Sequence, residues 1–211
     1  MRIKPDEAKR LYDMTENERS FWDEGLSVCG MDEVGRGPLA GPVVTACVTL
    51  PKQPLICGIN DSKKLSEKKR SELYSRIREQ TDIIGIAFVS EKEIDELNIL
   101  NATKKAFSLS YNRMAEIKRP DAALVDAVEG LDIDVPQHPI IHGDALSYLI
   151  AAASIIAKVE RDAYMAKMHE LYPEYNFLKN KGYGTAEHIA ALKKYGPCPI
   201  HRMSFLTKIL R

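Results

Sequence analysis

Two adjacent acids, Asp32 and Glu33, are followed at once by Gly35-Arg36-Gly37-Pro38 and then by Gly41-Pro42. Carboxylates where a strand ends are natural ligands for a hard divalent cation, which takes oxygen donors. Neighbouring side chains on a strand point to opposite faces, so this pair can share one ion only where the strand ends or bends. The glycines let backbone N–H groups approach a ligand closely, and a guanidinium suits a phosphate. Two further acids stand at element ends. Asp126 closes the apolar run Ala122-Ala123-Leu124-Val125, a poor place for a charge that nothing compensates. Asp144 follows Gly143 at a helix start, where it reads equally well as a simple N-cap. If the four converge, they cannot all stay ionised without metal. Two Mg²⁺ or Mn²⁺ ions about 3.5–4 Å apart are the equipment of in-line phosphoryl transfer, one activating water and the other stabilising the leaving oxygen.

Other residues suggest a polyanion. Ser62, Lys63 and Lys64 lie in a short polar loop just before a helix capped by Ser66, a plausible phosphate site. The lysines there also fit an ordinary solvated face. Tyr183 sits between Gly182 and Gly184 and near Lys179 and Lys181, placed to stack on a sugar or base or to donate its hydroxyl. Taken alone it reads as a tyrosine packed under a glycine-rich turn. His188 reads as a surface or core histidine.

These groups need elements to position them. One helix is expected over Pro5 to Glu24, with Leu11, Met14, Phe21 and Trp22 as its buried stripe. Strands are expected at Ser27–Val34, Val43–Leu50, Asp82–Val89, Ala122–Ala127 and Pro139–His142. Ser90 and Glu93 form a capping-box pattern ahead of a short helix, and Asn98–Lys118 reads as a longer one. A long helix is expected from Asp144 to about His169. Tyr172–Tyr183 reads as irregular, and Thr185 as the cap of a helix reaching Tyr195. Three successive strands followed by helix–strand units predict a mixed α/β sheet, antiparallel first and parallel later.

The 211 residues suit one domain with at most a small appendage. Net charge is zero, so no global field gathers nucleic acid. The charge is uneven, however: five bases against two acids over 61–70, five bases and no acids over 193–211, seven acids against three bases over 6–24. Such local patches can hold a phosphate backbone. Cys29, Cys47, Cys57 and Cys198 show no zinc or redox spacing and read as reduced thiols of a cytoplasmic protein. The first ten residues lack an apolar signal core, and the apolar run from Tyr148 to Ala157 falls far short of the ~20 residues that span a bilayer.

The stretch D-E-V-G-R-G-P-L-A-G-P-V-V resembles the opening signature of the type 2 ribonucleases H, the bacterial ribonuclease HII family. In order after it come I-N-D-S-K-K-L-S at 59–66, L-V-D at 124–126, H-G-D-A at 142–145, A-A-A-S-I-I-A-K-V at 151–159, R-D at 161–162, K-G-Y-G-T at 181–185 and H-R-M-S-F at 201–205. The resemblance implies a ribonuclease H-like mixed five-stranded sheet flanked by helices. It covers nearly the whole chain from Trp22 on, so that 1–24 reads from its residues as a packing helix and 25–211 as a catalytic domain whose part from about 170 is helical. It also implies hydrolysis of the RNA strand of RNA–DNA hybrids and incision 5′ of a single ribonucleotide in duplex DNA, leaving 3′-hydroxyl and 5′-phosphate ends. Asp32, Glu33, Asp126 and Asp144 match the metal-binding acids. Gly35, Arg36 and Gly37 match the loop that reads the 2′-hydroxyl through backbone groups, and Tyr183 the tyrosine that senses the RNA-to-DNA junction. A monomer is expected. Leu146 stands where the family is usually basic, Ala127 where glycine is common and His142 where lysine is frequent. Three other readings compete: a type 3 ribonuclease H, a silent hybrid-binding module and a small-molecule phosphohydrolase. The opening loop, the complete set of acids and the K-G-Y-G-T loop argue against them respectively.

Overall fold

The computed structural model describes residues 4–210. Met1–Ile3 and Arg211, the outer ends of the expected N-terminal helix and basic C-terminus, lie outside them. In chain order the helices and strands are α1 Pro5–Met14, α2 Glu16–Trp22, β1 Val28–Val34, β2 Val43–Val48, α3 Glu67–Gln80, β3 Ile84–Val89, α4 Glu91–Leu97, α5 Ile99–Ala115, β4 Ala122–Asp126, β5 Gln137–Ile140, α6 Gly143–Leu146, α7 Tyr148–Leu171, α8 Phe177–Asn180, α9 Ala186–Tyr195 and α10 Met203–Leu206. The strands form one sheet in the order β3-β2-β1-β4-β5. β1 pairs antiparallel with β2, and β2 with β3. β1 pairs parallel with β4, and β4 with β5. The expected switch from antiparallel to parallel is present.

The period-2 alternation of the strands divides the core. Val28, Ala46, Val48, Ala122 and Leu124 pack with Leu149, Ile150, Ala153 and Ile156 of α7 on one face. Cys29, Met31, Cys47, Ala123 and Val125 pack with Phe107, Tyr111 and Met114 of α5 on the other. The first half of α7 is apolar all round because it is buried all round. It lies directly on β1 at Gly30, where any Cβ would stand 2.2 Å from the Leu149 carbonyl carbon.

Three expectations about helices are corrected. The N-terminal helix is two, broken at Thr15, whose hydroxyl donates to the Tyr12 carbonyl instead of continuing the helix. The stretch 172–183 is not wholly irregular: a 3-10 turn at Pro173–Tyr175 and α8 order it, entered through left-handed Asn176. The long helix does not start at Asp144. The chain makes the single turn of α6, extends at Ser147, and restarts as α7 with the Ser147 hydroxyl accepting from the Ile150 N–H. That break is enforced from elsewhere. Glu18 of α2, fully buried, receives the Ser147 hydroxyl at 2.5 Å and the Leu149 N–H at 2.9 Å. Burial raises the Glu18 carboxyl above its ordinary range, and these two bonds at the positive end of the α7 dipole offset that only in part. The N-terminal pair of helices therefore does more than cover apolar surface: through Glu18 it holds the break between α6, which carries Asp144, and α7.

Candidate active site

β1 and β4 run parallel, so their carboxyl ends lie at the same end of the sheet. The register Met31↔Val125 places Asp32 and Asp126 side by side one step further along, on the face that α7 covers. A left-handed residue at His142 then turns the chain from β5 into α6. One carboxylate oxygen from each of Asp32, Glu33 and Asp126 lies within 4.8 Å of the others. Asp126 also anchors the turn, its Oδ1 accepting the Gly143 N–H at 2.8 Å. Asp144 borders this group without joining it: its Oδ2 holds the Lys63 ammonium at 2.9 Å. Asp144 is not the N-cap of α6, a position held by His142 without a side-chain bond.

The electrostatics of the cluster are those of crowded, buried acids. Burial, then the charges of Glu33 and Asp126, pushes Asp32 well above the ordinary carboxylate range. Burial pushes Glu33 up to about 7 against the pull of Arg36, and burial raises Asp126 against the bond from Gly143. Glu33 Oε1 is 3.5 Å from the Arg36 guanidinium, while its Oε2 is buried with no partner. Unpartnered buried oxygen beside two further carboxylates is the donor set a hard divalent cation takes, so the residues fit such an ion.

The raised acids make a pH prediction. A carboxylate whose folded pKa exceeds its unfolded one costs stability as pH climbs between the two values. Without metal, Glu33→Gln should therefore match the parent near pH 4.5 and become progressively more stable up to pH 8, by as much as about 3 kcal/mol. Thermal melts in chelator across that range test this, and a pH-independent difference would contradict the crowding described.

Above the acids lies the loop Gly35–Pro42, and two buried arginines hold it. Arg202 donates to the carbonyls of Gly35 at 2.6 Å, Arg36 at 3.0 Å and Gly41 at 2.9 Å. Arg161 of α7 donates to Pro42 at 3.0 Å, Ala40 at 3.1 Å and Lys181 at 2.9 Å. Burial and the charge of Arg161 lower Arg202 only to about 9, so it stays charged at neutral pH. Across a trans peptide the N–H points opposite to the C=O. With the carbonyls of Gly35 and Arg36 turned in to Arg202, the N–H groups of Arg36 and Gly37 face outward from exposed residues. Gly35 itself must be glycine: its φ is +96°, and a Cβ would meet Arg161 Nε at 2.3 Å.

Tyr183, 44 % exposed, comes to the same place from the far end of the chain, its ring 3.7 Å from where a Gly37 Cβ would stand. The basic loop divides. Lys63 and Lys64 are both exposed, Lys63 reaching Asp144, and the Ser62 hydroxyl turns inward to the Ser154 hydroxyl at 2.7 Å, behind Asp32. Ser62 thus offers a ligand its backbone at most. The residue reading missed Arg161, Arg202, Glu18 and Ser154. The first two lie in the segments R-D and H-R-M-S-F, which marked the stretches but not their task.

A family model described as Ribonuclease HII matches residues 29–208. A ribonuclease HII of Caldanaerobacter subterraneus subsp. tengcongensis is 54% identical over 206 residues, covering 97% of this chain and 85% of that protein. Another, of Clostridioides difficile, is 51% identical over 205 residues, covering 97% and 80%. Among solved structures, ribonuclease H2 from Pyrococcus horikoshii OT3 superposes with a TM-score of 0.73 at 28% identity, covering 88% of this chain and 97% of that one. Bst-RNase HIII in complex with Mn²⁺ gives 0.69 at 20% identity, covering 88% and 69%, a likeness of fold alone.

Proposed function

The chain belongs to the ribonuclease HII family, and from that premise we propose that it incises duplex DNA 5′ of a single embedded ribonucleotide as well as cutting long hybrids, using two divalent ions. Membership makes it a ribonuclease H, a divalent-metal-dependent hydrolase of the RNA strand of RNA–DNA hybrids. The finer reading rests on one observation: the carboxylates of Asp32, Glu33 and Asp126 lie at the sheet end beneath a loop whose outward N–H groups belong to Arg36 and Gly37.

Asp32, Glu33, Asp126 and, from the side, Asp144 would hold Mg²⁺ or Mn²⁺. Bound there, such ions supply an activated water and neutralise charge on the leaving oxygen, which leaves 3′-hydroxyl and 5′-phosphate ends. The Arg36 and Gly37 N–H groups would meet the 2′-hydroxyl, the group that tells RNA from DNA at one nucleotide. Tyr183, beside Gly37, would pack against the next, deoxy, sugar. Lys64, and the backbone that opens at Ser62, would take phosphate. Lys63 would do so only on leaving Asp144, which an ion at that acid favours by competing for the same oxygens. The same reading takes residues 25–211 as the catalytic unit, with helices from about 170 completing the substrate surface, in a monomeric protein of the cytoplasm. Among the described residues no helix is long and apolar enough to cross a membrane.

The test is incision of a duplex carrying one ribonucleotide, with Mg²⁺, with Mn²⁺ and with chelator. Metal-dependent cutting 5′ of the ribonucleotide is expected. Cutting confined to long hybrids would reject the single-ribonucleotide reading and leave the family activity standing.

A further inference from the structure

Behind Tyr183 lie two histidines for which the reaction above has no use. His188 is in the first turn of α9, and His201 precedes Arg202; they are 0 % and 3 % exposed. Their Nε2 atoms are 2.9 Å apart. Their protons can be placed by elimination. The Tyr183 carbonyl can only accept, so His188 Nδ1, 2.9 Å away, carries hydrogen. A neutral His188 then has only a lone pair at Nε2, and His201 Nε2–H donates to it. His201 Nδ1 is left as an acceptor, and the Cys198 N–H donates to it at 2.9 Å. The bonds run in one direction, from Cys198 through both rings to Tyr183, and no member is charged.

The surroundings suit that state. The rings of Tyr175 and Phe177 wall the pair, Tyr175 at 4.9 Å from His201 and Phe177 at 5.4 Å from His188. The Tyr175 hydroxyl is spent on the Gly196 carbonyl. The Cys198 thiol, 3.1 Å from His201 Nδ1, is pushed up to about 11 by burial and stays neutral. Arg202 and, from α7, Arg161 are the nearby cations, both spent on carbonyls. From α7, Met165, Met168 and Tyr164 also pack on this apolar cluster, and burial pushes the Tyr164 hydroxyl up to about 12, so it too stays neutral. Among the described residues no carboxylate pairs with either ring. Burial lowers both histidines, His201 to about 4.

We propose that the His188–His201 pair is a positioning relay, which holds the main chain of Tyr183 in place against Gly37 while both rings are uncharged. This rests on the reading of Tyr183 as a substrate contact. One end of the relay fixes the Tyr183 carbonyl. At the other, His201 lies one residue from Arg202, which grips the carbonyls of Gly35 and Arg36. Both walls that would flank the sugar are thereby referred to the same short backbone segment. An added proton has one place to go, the His201 Nδ1 lone pair, and the new Nδ1–H must turn to the Cys198 carbonyl at 3.3 Å. The Cys198 N–H then loses its acceptor and a cation sits among aromatic rings. Since the folded values lie below the unfolded one, the relay's stability is whole above about pH 6.5 and is lost as pH falls toward 4.

The experiment is a double-mutant cycle of His201→Phe with Tyr183→Ala, read as single-turnover rate and affinity on a one-ribonucleotide duplex. His201→Phe should slow cleavage about tenfold or more while affinity changes by less than about twofold, since small misplacements near a reacting centre cost rate. It should add nothing in the Tyr183→Ala background. His201→Gln, which keeps an N–H at the ε position, should recover most of the rate. Imidazole NMR at pH 6 should show His188 protonated at Nδ1 and His201 at Nε2, both neutral. If Tyr183→Ala leaves the rate untouched, the tyrosine reading itself has failed. If Tyr183→Ala slows cleavage but a folded His201→Phe does not, or if their losses multiply, the relay is overturned and the tyrosine reading survives. Should His201→Phe not fold, the Gln variant and the NMR decide: an imidazolium at pH 6, or the opposite tautomers, overturns the proposal.

Discussion

Asp32→Asn is expected to abolish metal-supported cleavage, by more than about a thousandfold, which is roughly 4 kcal/mol at the transition state. The substitution keeps the shape and the Oδ1 that accepts the Glu33 N–H at 2.8 Å, and removes only charge and ligand strength. The same loss is expected for Glu33→Gln, Asp126→Asn and Asp144→Asn. The choice of amide matters most at Asp126. Asn retains an acceptor for the Gly143 N–H that anchors α6, whereas Asp126→Ala would disturb α6 and confuse ligand loss with misplacement of Asp144. Removing one of several crowded acids also relieves repulsion, so metal-free Asp126→Asn should be as stable as the parent or more so, by roughly 1 kcal/mol at most. It should lose the stabilisation that Mg²⁺ gives the parent, because a ligand stabilises only the state that binds it. Single-turnover cleavage at saturating Mg²⁺ and melts with and without metal supply both measurements. Near-normal turnover in Asp32→Asn or Asp126→Asn would remove the two-ion assignment, and a large loss of metal-free stability would make Asp126 mainly structural.

Tyr183→Ala should cost about 2–4 kcal/mol in cleavage beside a single ribonucleotide, from the combined loss of a hydroxyl and a stacking face, with far less lost in binding. Acids and ions alone would cut any phosphodiester they could hold; selectivity needs contacts that feel the sugar. The comparison is with the lysines. From sequence, Lys63 and Lys64 are interchangeable phosphate contacts. In the structure both are exposed, and Lys63 is in addition paired with Asp144. Lys64→Ala should therefore weaken binding to all duplexes alike and flatten its salt dependence. Lys63→Ala should in addition alter the metal dependence of the rate, because it frees a carboxylate beside the cluster. Rates and affinities on an all-RNA hybrid and on a one-ribonucleotide duplex, at several salt concentrations, separate these effects. Equal loss of binding and cleavage in Tyr183→Ala would reduce the tyrosine to part of the docking surface.

What the sequence determined by itself was whatever local physics decides. Ser66, Ser90 and Thr185 cap helices as expected, because a cap is a bond between residues two or three apart. The strands, their order of antiparallel then parallel pairing, and the placing of Asp126 at the end of its strand follow from alternation and turn residues, which are also local; Asp32 lies two residues inside the end of β1. The break at Ser147 was not legible, since Ala145 and Leu146 continue a helical pattern; it is held by Glu18, 129 residues away. Nor was the division of labour between Lys63 and Lys64, which Asp144 decides from 81 residues off. Least legible was the loop that would read the sugar. Gly35 and Gly37 announce a backbone free to approach a ligand, but its direction is set by Arg202 and Arg161 gripping carbonyls 119 to 167 residues away. Every residue carries a carbonyl, so no residue type marks the ones a buried guanidinium will choose; only the packing of α7 and the C-terminal segment against that loop makes the choice.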